Sequence, residues 1–224
     1  AVLPDGHVTG VDISRDFLSH AKEIAGKSRL AKQVSFQEGD MNKLPFDDDS
    51  FDWAWSKDCL WPGPKETGCA AEDPLLPVNE LKRVVKPRGI IAALFWSSQK
   101  LLPGYPLLEA RLSATYAANL PFTEGTNPKL HTLRTLGWLQ AINIEEPKVR
   151  TFVAEVQAPL NNKTRNALTI SFQMFWGEAE SEVIAEDWAE FQQLSRPDSP
   201  DFILNLPDYY AFLTYSLFYG KVAK

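Results

Sequence analysis

The stretch that decides the fold is VSFQEGDMNKLPFDDDSFDWAWS, which spans residues 34–56. Its first residues, 34–38, alternate between apolar and polar types, as in a short half-buried strand. That strand ends at Gly39-Asp40, so a carboxylate lies at its carboxyl end. After a polar loop, the apolar run 51–56 is short enough to be a second, buried strand. Two strand ends that approach one sheet edge, one of them with an acid, are typical of a ligand crevice in an α/β fold.

The segment before this stretch has a matching pattern. Residues 7–14, HVTGVDIS, read as a strand that ends at the acid Asp12, and Ser14 is suited to cap a following helix. Apolar residues at helical spacing across 17–25 predict that helix. Strand, acid and helix in this order form half of a nucleotide-binding unit. A carboxylate at this position can accept hydrogen bonds from two neighbouring ribose hydroxyls.

Together these residues resemble the class I, Rossmann-like S-adenosylmethionine-dependent methyltransferases, and among them the small-molecule branch that includes quinone-biosynthesis enzymes. The resemblance is carried by strand-G-D-x-x-x-L-P-F-x(4)-F-D-strand, here residues 34–56. It implies an α/β fold, a Rossmann-like three-layer sandwich whose mostly parallel sheet has the order 3-2-1-4-5-7-6 and an antiparallel last strand.

The resemblance also implies S-adenosylmethionine as cofactor, with S-adenosylhomocysteine as product. It assigns Asp12 to the ribose, Ile13 to the adenine face, Asp40 to the adenine amino group and the Met41 N–H to a ring nitrogen. For either acid alone, a capping or loop role is the simpler interpretation, whereas the two acids in this order and spacing favour a ligand. The full set of expected cofactor-binding residues is Asp12, Ile13, Gly39, Asp40, Met41 and Ser56.

One feature of the family is missing from the sequence. Class I methyltransferases have a first strand and a glycine-rich loop, often G-x-G-x-G, before the segment that begins here. No two of the 12 glycines are two residues apart. We therefore expect that the first strand, the glycine loop and the first helix are absent. Because that strand is central in the family sheet, its absence would leave two strands with unpaired edges.

Downstream, helical periodicity over 78–85 is expected to stop at Pro87, and a strand is expected over 90–96. The turn between them, Lys-Pro-Arg-Gly, replaces the family's usual Lys-Pro-Gly-Gly. Further helices are predicted within 107–118 and 133–139. Strands are predicted over 149–156 and 212–222.

The whole chain, 1–224, is expected to be a single methyltransferase-like domain. Residues 161–209, which include an acidic helix around 178–194, are expected to form an inserted lid or substrate subdomain. An apolar pocket over the cofactor's sulfonium could be lined by aromatic rings, although most of these rings could equally be core. The candidate substrate residues are Trp61, Trp96, Tyr105, Phe172 and Trp176.

No catalytic residue is assigned, because a sulfonium methyl group transfers by displacement and a base is needed only if the acceptor must lose a proton. Lys57, Asp58 and His131 are candidate bases, and each is also suited to a surface or capping role. No metal is expected, since the three histidines are scattered and the two cysteines lack metal-type spacing.

The resemblance implies a small-molecule substrate as the partner, and the composition bears on the other classes of partner. The net charge of −6 argues against nucleic acid as a substrate. No apolar run approaches the roughly 20 residues of a membrane helix. Two isolated cysteines fit a reducing compartment, so a cytoplasmic protein is expected. The sequence does not specify an oligomeric state.

Two other functions stay open. Asp12 would bind a nicotinamide ribose equally well in an NAD(P)-dependent oxidoreductase, although no Tyr is followed four residues later by Lys. A truncated, non-catalytic methyltransferase-like module is the other alternative.

Overall fold

The computed structural model describes residues 5–64, 68–122 and 125–223. The described strands are β1 (Val8–Asp12), β2 (Val34–Glu38), β3 (Phe51–Lys57), β4 (Val85–Lys100), β5 (Ile144–Gln157) and β6 (Tyr210–Val222). The described helices are α1 (Arg15–Gly26), α2 (Leu75–Val84), α3 (Pro106–Ser113), α4 (Tyr116–Asn119), α5 (Thr135–Ala141), α6 (Asn162–Trp176) and α7 (Ala185–Ser195). Short 3₁₀ turns occupy Ala31–Gln33, Pro128–Leu130, Thr132–Arg134, Glu180–Glu182 and Ile203–Asn205.

The chain divides into two compact units. The first unit comprises Ala1–Ala93, Thr135–Lys148 and Tyr219–Lys224, and the second comprises Leu94–Arg134 and Val149–Phe218. The expectation of one domain with an insert at 161–209 stays a prediction. None of the helices in the described ranges is long and apolar enough to cross a membrane.

The strands form two separate sheets. Strands β1 and β2 pair in parallel, and the other sheet has the order β3-β4-β6-β5. This is the order expected from the sequence with its central strand omitted. Within the described part of the chain, β1 and β3 each pair along one edge only.

The last strand runs antiparallel to β4, as predicted. The Ser97 hydroxyl bonds to Thr214, and the Phe95 ring lies 6.1 Å from that of Phe218. Residues earlier in β4 therefore lie beside residues later in β6, which is the antiparallel arrangement. This arrangement and the parallel β1–β2 pair confirm the Rossmann-like α/β class.

Close packing fixes the parallel β1–β2 pair. The register runs from Val8 opposite Val34 to Asp12 opposite Glu38. A Cβ at Gly10 would lie 2.9 Å from the Phe36 ring. Glycine is therefore required where this strand approaches its neighbour.

Helix α1 begins where the sequence predicts. The Ser14 hydroxyl accepts a hydrogen bond from the Phe17 N–H at 3.3 Å, which satisfies one of the free donors of the first turn. Its apolar stripe is only partly covered, because Leu18 is buried while Phe17 and Ile24 are 70% and 58% exposed.

Arg83 of α2 fixes the loop that follows Asp40. Its guanidinium donates to the carbonyl oxygens of Leu44 and Phe46 at 3.0 and 2.7 Å. Glu80, one turn earlier, accepts the Leu44 N–H at 2.8 Å. The hydrogen bond from Arg83 is the main cause that lowers the pKa of Glu80. A charged pair on α2 thus holds the Leu-Pro-Phe turn.

Four predicted boundaries are wrong, and one of them is the start of β5, at Ile144 instead of 149. Strand β4 begins at Val85 instead of 90, because Pro87 has a backbone angle that extended chain accepts. The helical stretch 107–118 is divided, because Thr115 is extended and caps α4 by accepting the Ala118 N–H. The acidic helix begins at Ala185 instead of 178, because a 3₁₀ turn precedes it.

A large apolar cluster forms the core of the second unit. Helices α3, α4 and α6 contact one another there. Trp176, Phe172 and Phe191 are 0% exposed. These rings form edge and stacked pairs, with the Trp176 and Phe191 centroids 5.9 Å apart.

Candidate functional site

Asp12 and Asp40 lie at the same edge of the β1–β2 pair. Asp12 is level with Glu38 in the parallel register, and the Gly39 N–H donates to the Asp12 carbonyl at 3.0 Å. Asp40 follows directly. Strand spacing and rise therefore put the two backbones roughly 8 Å apart. We call Asp12, Ile13, Gly39, Asp40 and Met41 the rim.

The Asp12 carboxylate combines a structural contact with a free acceptor. Its Oδ1 accepts the Ser14 N–H at 2.8 Å, so the capping interpretation holds. Its Oδ2 accepts no hydrogen bond from the described residues. The side chain is half-buried, which limits its freedom. One oxygen thus orients the carboxylate, and the other is available to a hydroxyl donor.

The Asp40 carboxylate is arranged in the same way. Its Oδ1 accepts the backbone N–H and the side-chain amide of Asn42, both at 2.8 Å. That amide also donates to the Ala70 carbonyl at 2.8 Å. The Asn42 Oδ1 is buried and accepts nothing from the described residues. A buried acceptor without a donor is unfavourable, but this oxygen has no accessible surface and is therefore closed to a ligand.

These side-chain groups fit a nucleoside. The second oxygens of the half-buried Asp12 and the exposed Asp40 are acceptors, and a nucleoside presents hydroxyl and amino donors. Ile13 is 73% exposed and offers an apolar surface next to Asp12. Met41 is half-buried.

Gly39 and Ser56 have structural constraints of their own. A Cβ at Gly39 would lie 2.8 Å from the Pro45 ring, so the rim requires glycine there. Ser56, near the end of β3, is buried at 7% exposure. The cofactor roles of both residues stay predictions.

Cys59 is a residue of this region that the sequence did not indicate. Desolvation raises the pKa of its thiol, and the carboxylate of Asp12 raises it further. The thiol therefore lies within electrostatic range of the rim, and it donates to the Lys57 carbonyl at 2.9 Å. No sequence pattern could have indicated this, because the two residues are 47 positions apart.

Lys57 and Asp58, two of the candidate bases, form an ion pair with each other at 3.1 Å. Asp58 has a left-handed backbone, with a φ of 51°. Lys57 is the last residue of β3, and Asp58 makes the sharp turn that leads to Cys59.

His131, the third candidate base, lies in the second unit. Its Nδ1 accepts the Leu133 N–H at 3.2 Å, and its ring lies 4.7 Å from that of Phe122. Burial lowers its pKa, so the neutral imidazole is favoured. These contacts fit a cap of the short 3₁₀ turn.

The candidate substrate residues lie in different surroundings. Trp61 is half-buried in the first unit. In the second unit, Trp96 is half-buried with its ring 3.8 Å from that of Phe175, and Tyr105 is half-buried at the start of α3. Phe172 and Trp176 are fully buried core residues. Their substrate roles stay predictions, and the first three offer the more accessible surfaces.

Within the described ranges, no group of three or more His, Cys, Asp or Glu side chains could hold a metal ion.

Comparison with solved structures supports the fold. A YcgJ protein from Bacillus subtilis aligns with a TM-score of 0.52 at 15% identity, covering 97% of this chain and 83% of that one. A protein from Bacillus halodurans C-125 aligns with a TM-score of 0.50 at 15% identity, covering 97% and 84%. At this identity the likeness concerns the fold alone.

Comparison of the sequence with known proteins identifies the family, which the likeness of fold does not. A demethylmenaquinone methyltransferase from Staphylococcus aureus is 36% identical over 110 residues, which cover 49% of this chain and 41% of that protein. The alignment thus spans less than half of the relative's length. A family described as "Methyltransferase domain" matches residues 1–137, which include the whole rim. The chain therefore belongs to this methyltransferase family.

Proposed function

We propose that this chain takes part in S-adenosylmethionine-dependent transfer of a methyl group to a small, apolar or aromatic acceptor. The observation that carries the proposal is the parallel register of β1 and β2, which brings Asp12 and Asp40 to one rim in a chain of the methyltransferase family.

The rim would hold the nucleoside part of the cofactor. The free oxygen of Asp12 would accept hydrogen bonds from the ribose, and that of Asp40 from the adenine amino group. Ile13, which is exposed, would cover one face of the base. The cofactor would supply a methyl group on a cationic sulfonium, so the protein's part is to orient the acceptor and exclude water.

The acceptor would be a ring that aromatic side chains can cover. The curated relative acts, by its name, on demethylmenaquinone, so a demethylated naphthoquinol is the first acceptor to test. Trp61 in the first unit is a half-buried candidate for such a contact, and Trp96 and Tyr105 are separate candidates in the second unit. No general base is proposed, because Lys57 and Asp58 pair with each other and His131 caps a turn.

The experiment is a saturation-transfer NMR titration of the 224-residue chain with S-adenosylhomocysteine. We expect binding weaker than micromolar, because the sequence contains no glycine loop to contact the methionine end. Asp12→Ala should weaken binding by about tenfold, the effect of losing a hydrogen bond to a charged group. Asp52→Ala is the control, since this exposed acid lies at the start of β3 and pairs with Lys86.

Equal affinities of the Asp12→Ala and Asp52→Ala variants, or no saturation transfer to the unsubstituted chain, would overturn the proposal. Micromolar affinity would instead contradict the expectation that the missing loop weakens binding. Titration with NAD tests the oxidoreductase alternative, which requires tighter binding of NAD than of S-adenosylhomocysteine.

A further inference from the structure

The second unit contains an open cavity of about 360 Å³ between Tyr105 and the segment that follows α7. This volume lies within the range of small-molecule sites, roughly 300–1,000 Å³. Its lining combines polar and apolar residues; among the apolar ones, Leu194 and Phe202 are at most 4% exposed and Leu206 is 40% exposed. All of its lining residues belong to the second unit.

Buried groups hold the Tyr105 wall in place. Glu109, only 2% exposed, accepts the Leu101 N–H at 2.6 Å. The Tyr209 hydroxyl donates to the Leu101 carbonyl at 3.0 Å, and burial raises the pKa of this phenol. The Tyr105 N–H donates a hydrogen bond to the Leu102 carbonyl at 3.0 Å, which closes the turn between these two residues.

Arg165 of α6 holds the opposite wall. Its guanidinium donates to the Asn205 side chain at 2.9 Å and to the Leu204 carbonyl at 2.8 Å. It also lies 5.6 Å from the Phe202 ring centroid. Both walls are thus supported from outside the cavity, and the shape is formed before any ligand arrives.

The lining has an uneven charge. It includes the carboxylates of Glu190 and Asp201, the amides of Gln193 and Asn205, and the Tyr105 phenol. None of the lining residues, all of which are described, is Lys, Arg or His. Neither carboxylate forms an ion pair with a described residue. The guanidinium of Arg165, already bound to Asn205, offsets only part of this negative charge.

We infer that this cavity binds a small organic cation, a protonated amine with an apolar body. The ammonium group would lie between Glu190 and Asp201, and the apolar body would lie against Leu206, the lining residue with the exposed apolar side chain. This site goes beyond the proposed methyl transfer and does not depend on cofactor binding.

The experiment is a saturation-transfer NMR titration of the full chain, without cofactor, with cyclohexylammonium as the cationic probe and cyclohexanol as the neutral one. Cyclohexylammonium should bind at least about threefold more tightly than cyclohexanol. The double variant E190Q/D201N should lower cyclohexylammonium affinity by about fivefold, since each exposed charge pair contributes roughly 0.5 kcal/mol.

The matched control is E178Q/E186Q, which changes net charge equally at two exposed acids outside the cavity lining. Leu206→Trp provides a test of the cavity itself, because Leu206 is a lining residue that is 40% exposed and can accept a larger ring. It should abolish binding of both probes.

Equal losses in E190Q/D201N and E178Q/E186Q would overturn the inference, because net charge alone would then explain the binding. Binding that survives Leu206→Trp, or cyclohexanol binding as tightly as cyclohexylammonium, would overturn it too.

Discussion

Strand β4 and the β1–β2 pair belong to one fold but differ in burial. No residue of β1 or β2 is buried, whereas Val85, Ile91 and Phe95 of β4 are at most 1% exposed. Strand β4 has a neighbour on each edge, and β1 has one neighbour among the described residues. Both strands contain β-branched residues, and they differ in the number of strands beside them.

The low burial of β1 and β2 has a functional consequence. A strand with few buried contacts opens locally more easily than a core strand. The rim, which we propose as the nucleoside site, is carried by the less buried pair. A ligand there would therefore order the part of the first unit that its own packing leaves least stable.

The largest expected effect contrasts a core ring with an exposed one. Phe95→Ala should lower the free energy of unfolding by about 3–5 kcal/mol, because it removes a fully buried ring. Trp53→Ala in β3 should cost under about 1 kcal/mol, since Trp53 is 55% exposed. Urea denaturation measures both. Comparable losses would mean that the Trp53 ring is covered in solution.

Gly39 tests how tightly the rim is packed. An added Cβ would lie 2.8 Å from the Pro45 ring and 3.0 Å from Val11, so Gly39→Ala should cost about 1–3 kcal/mol. Gly26→Ala is the matched control, because nothing lies within 4 Å of a Cβ there. The control should be neutral or slightly stabilising in thermal denaturation. If Gly39→Ala does not change the stability, the packing around Gly39 is looser than these distances indicate.

Arg88 tests backbone strain where β4 begins. Its φ is 69°, a left-handed conformation that costs a non-glycine residue about 1 kcal/mol. Arg88→Gly should therefore raise the free energy of unfolding by about that amount. Asn143→Gly, at a φ of 57°, should give a smaller gain, because asparagine tolerates this conformation better. A larger gain at Asn143 would contradict this explanation.

The smallest expected effect concerns pH. Burial lowers the pKa of folded His131 below its ordinary value of 6.5, so the folded state binds fewer protons than the unfolded state. Stability should therefore fall as the pH decreases through 6.5 toward the folded pKa. Denaturation at several pH values should show this slope, and His131→Asn should reduce it. His20→Asn, on the exposed surface of α1, should leave it unchanged.

The sequence predicted local features well. The Ser14 cap, the five-residue strand β2 and the shared edge of Asp12 and Asp40 depend on neighbouring residues and strand pattern. It also predicted the strand order β3-β4-β6-β5 and the antiparallel last strand.

Features that depend on tertiary contacts were not predictable. An aromatic ring at helical spacing looks the same whether it is core or ligand-facing, so the burial of Phe172 and Trp176 could not be read from the chain. Cys59 interacts electrostatically with Asp12, and Arg83 donates a hydrogen bond to the Leu44 carbonyl. Both interactions join residues that are distant in the sequence.

Hydrogen exchange of the backbone amides, followed with and without S-adenosylhomocysteine, tests the central claim most directly. The amides of β1 and β2 should exchange faster than those of β4 in the free chain. The ligand should then slow exchange at β1, at β2 and at the rim. The claim is contradicted if β1 and β2 are protected as strongly as β4 without ligand, or if the ligand protects other segments and leaves the rim unchanged.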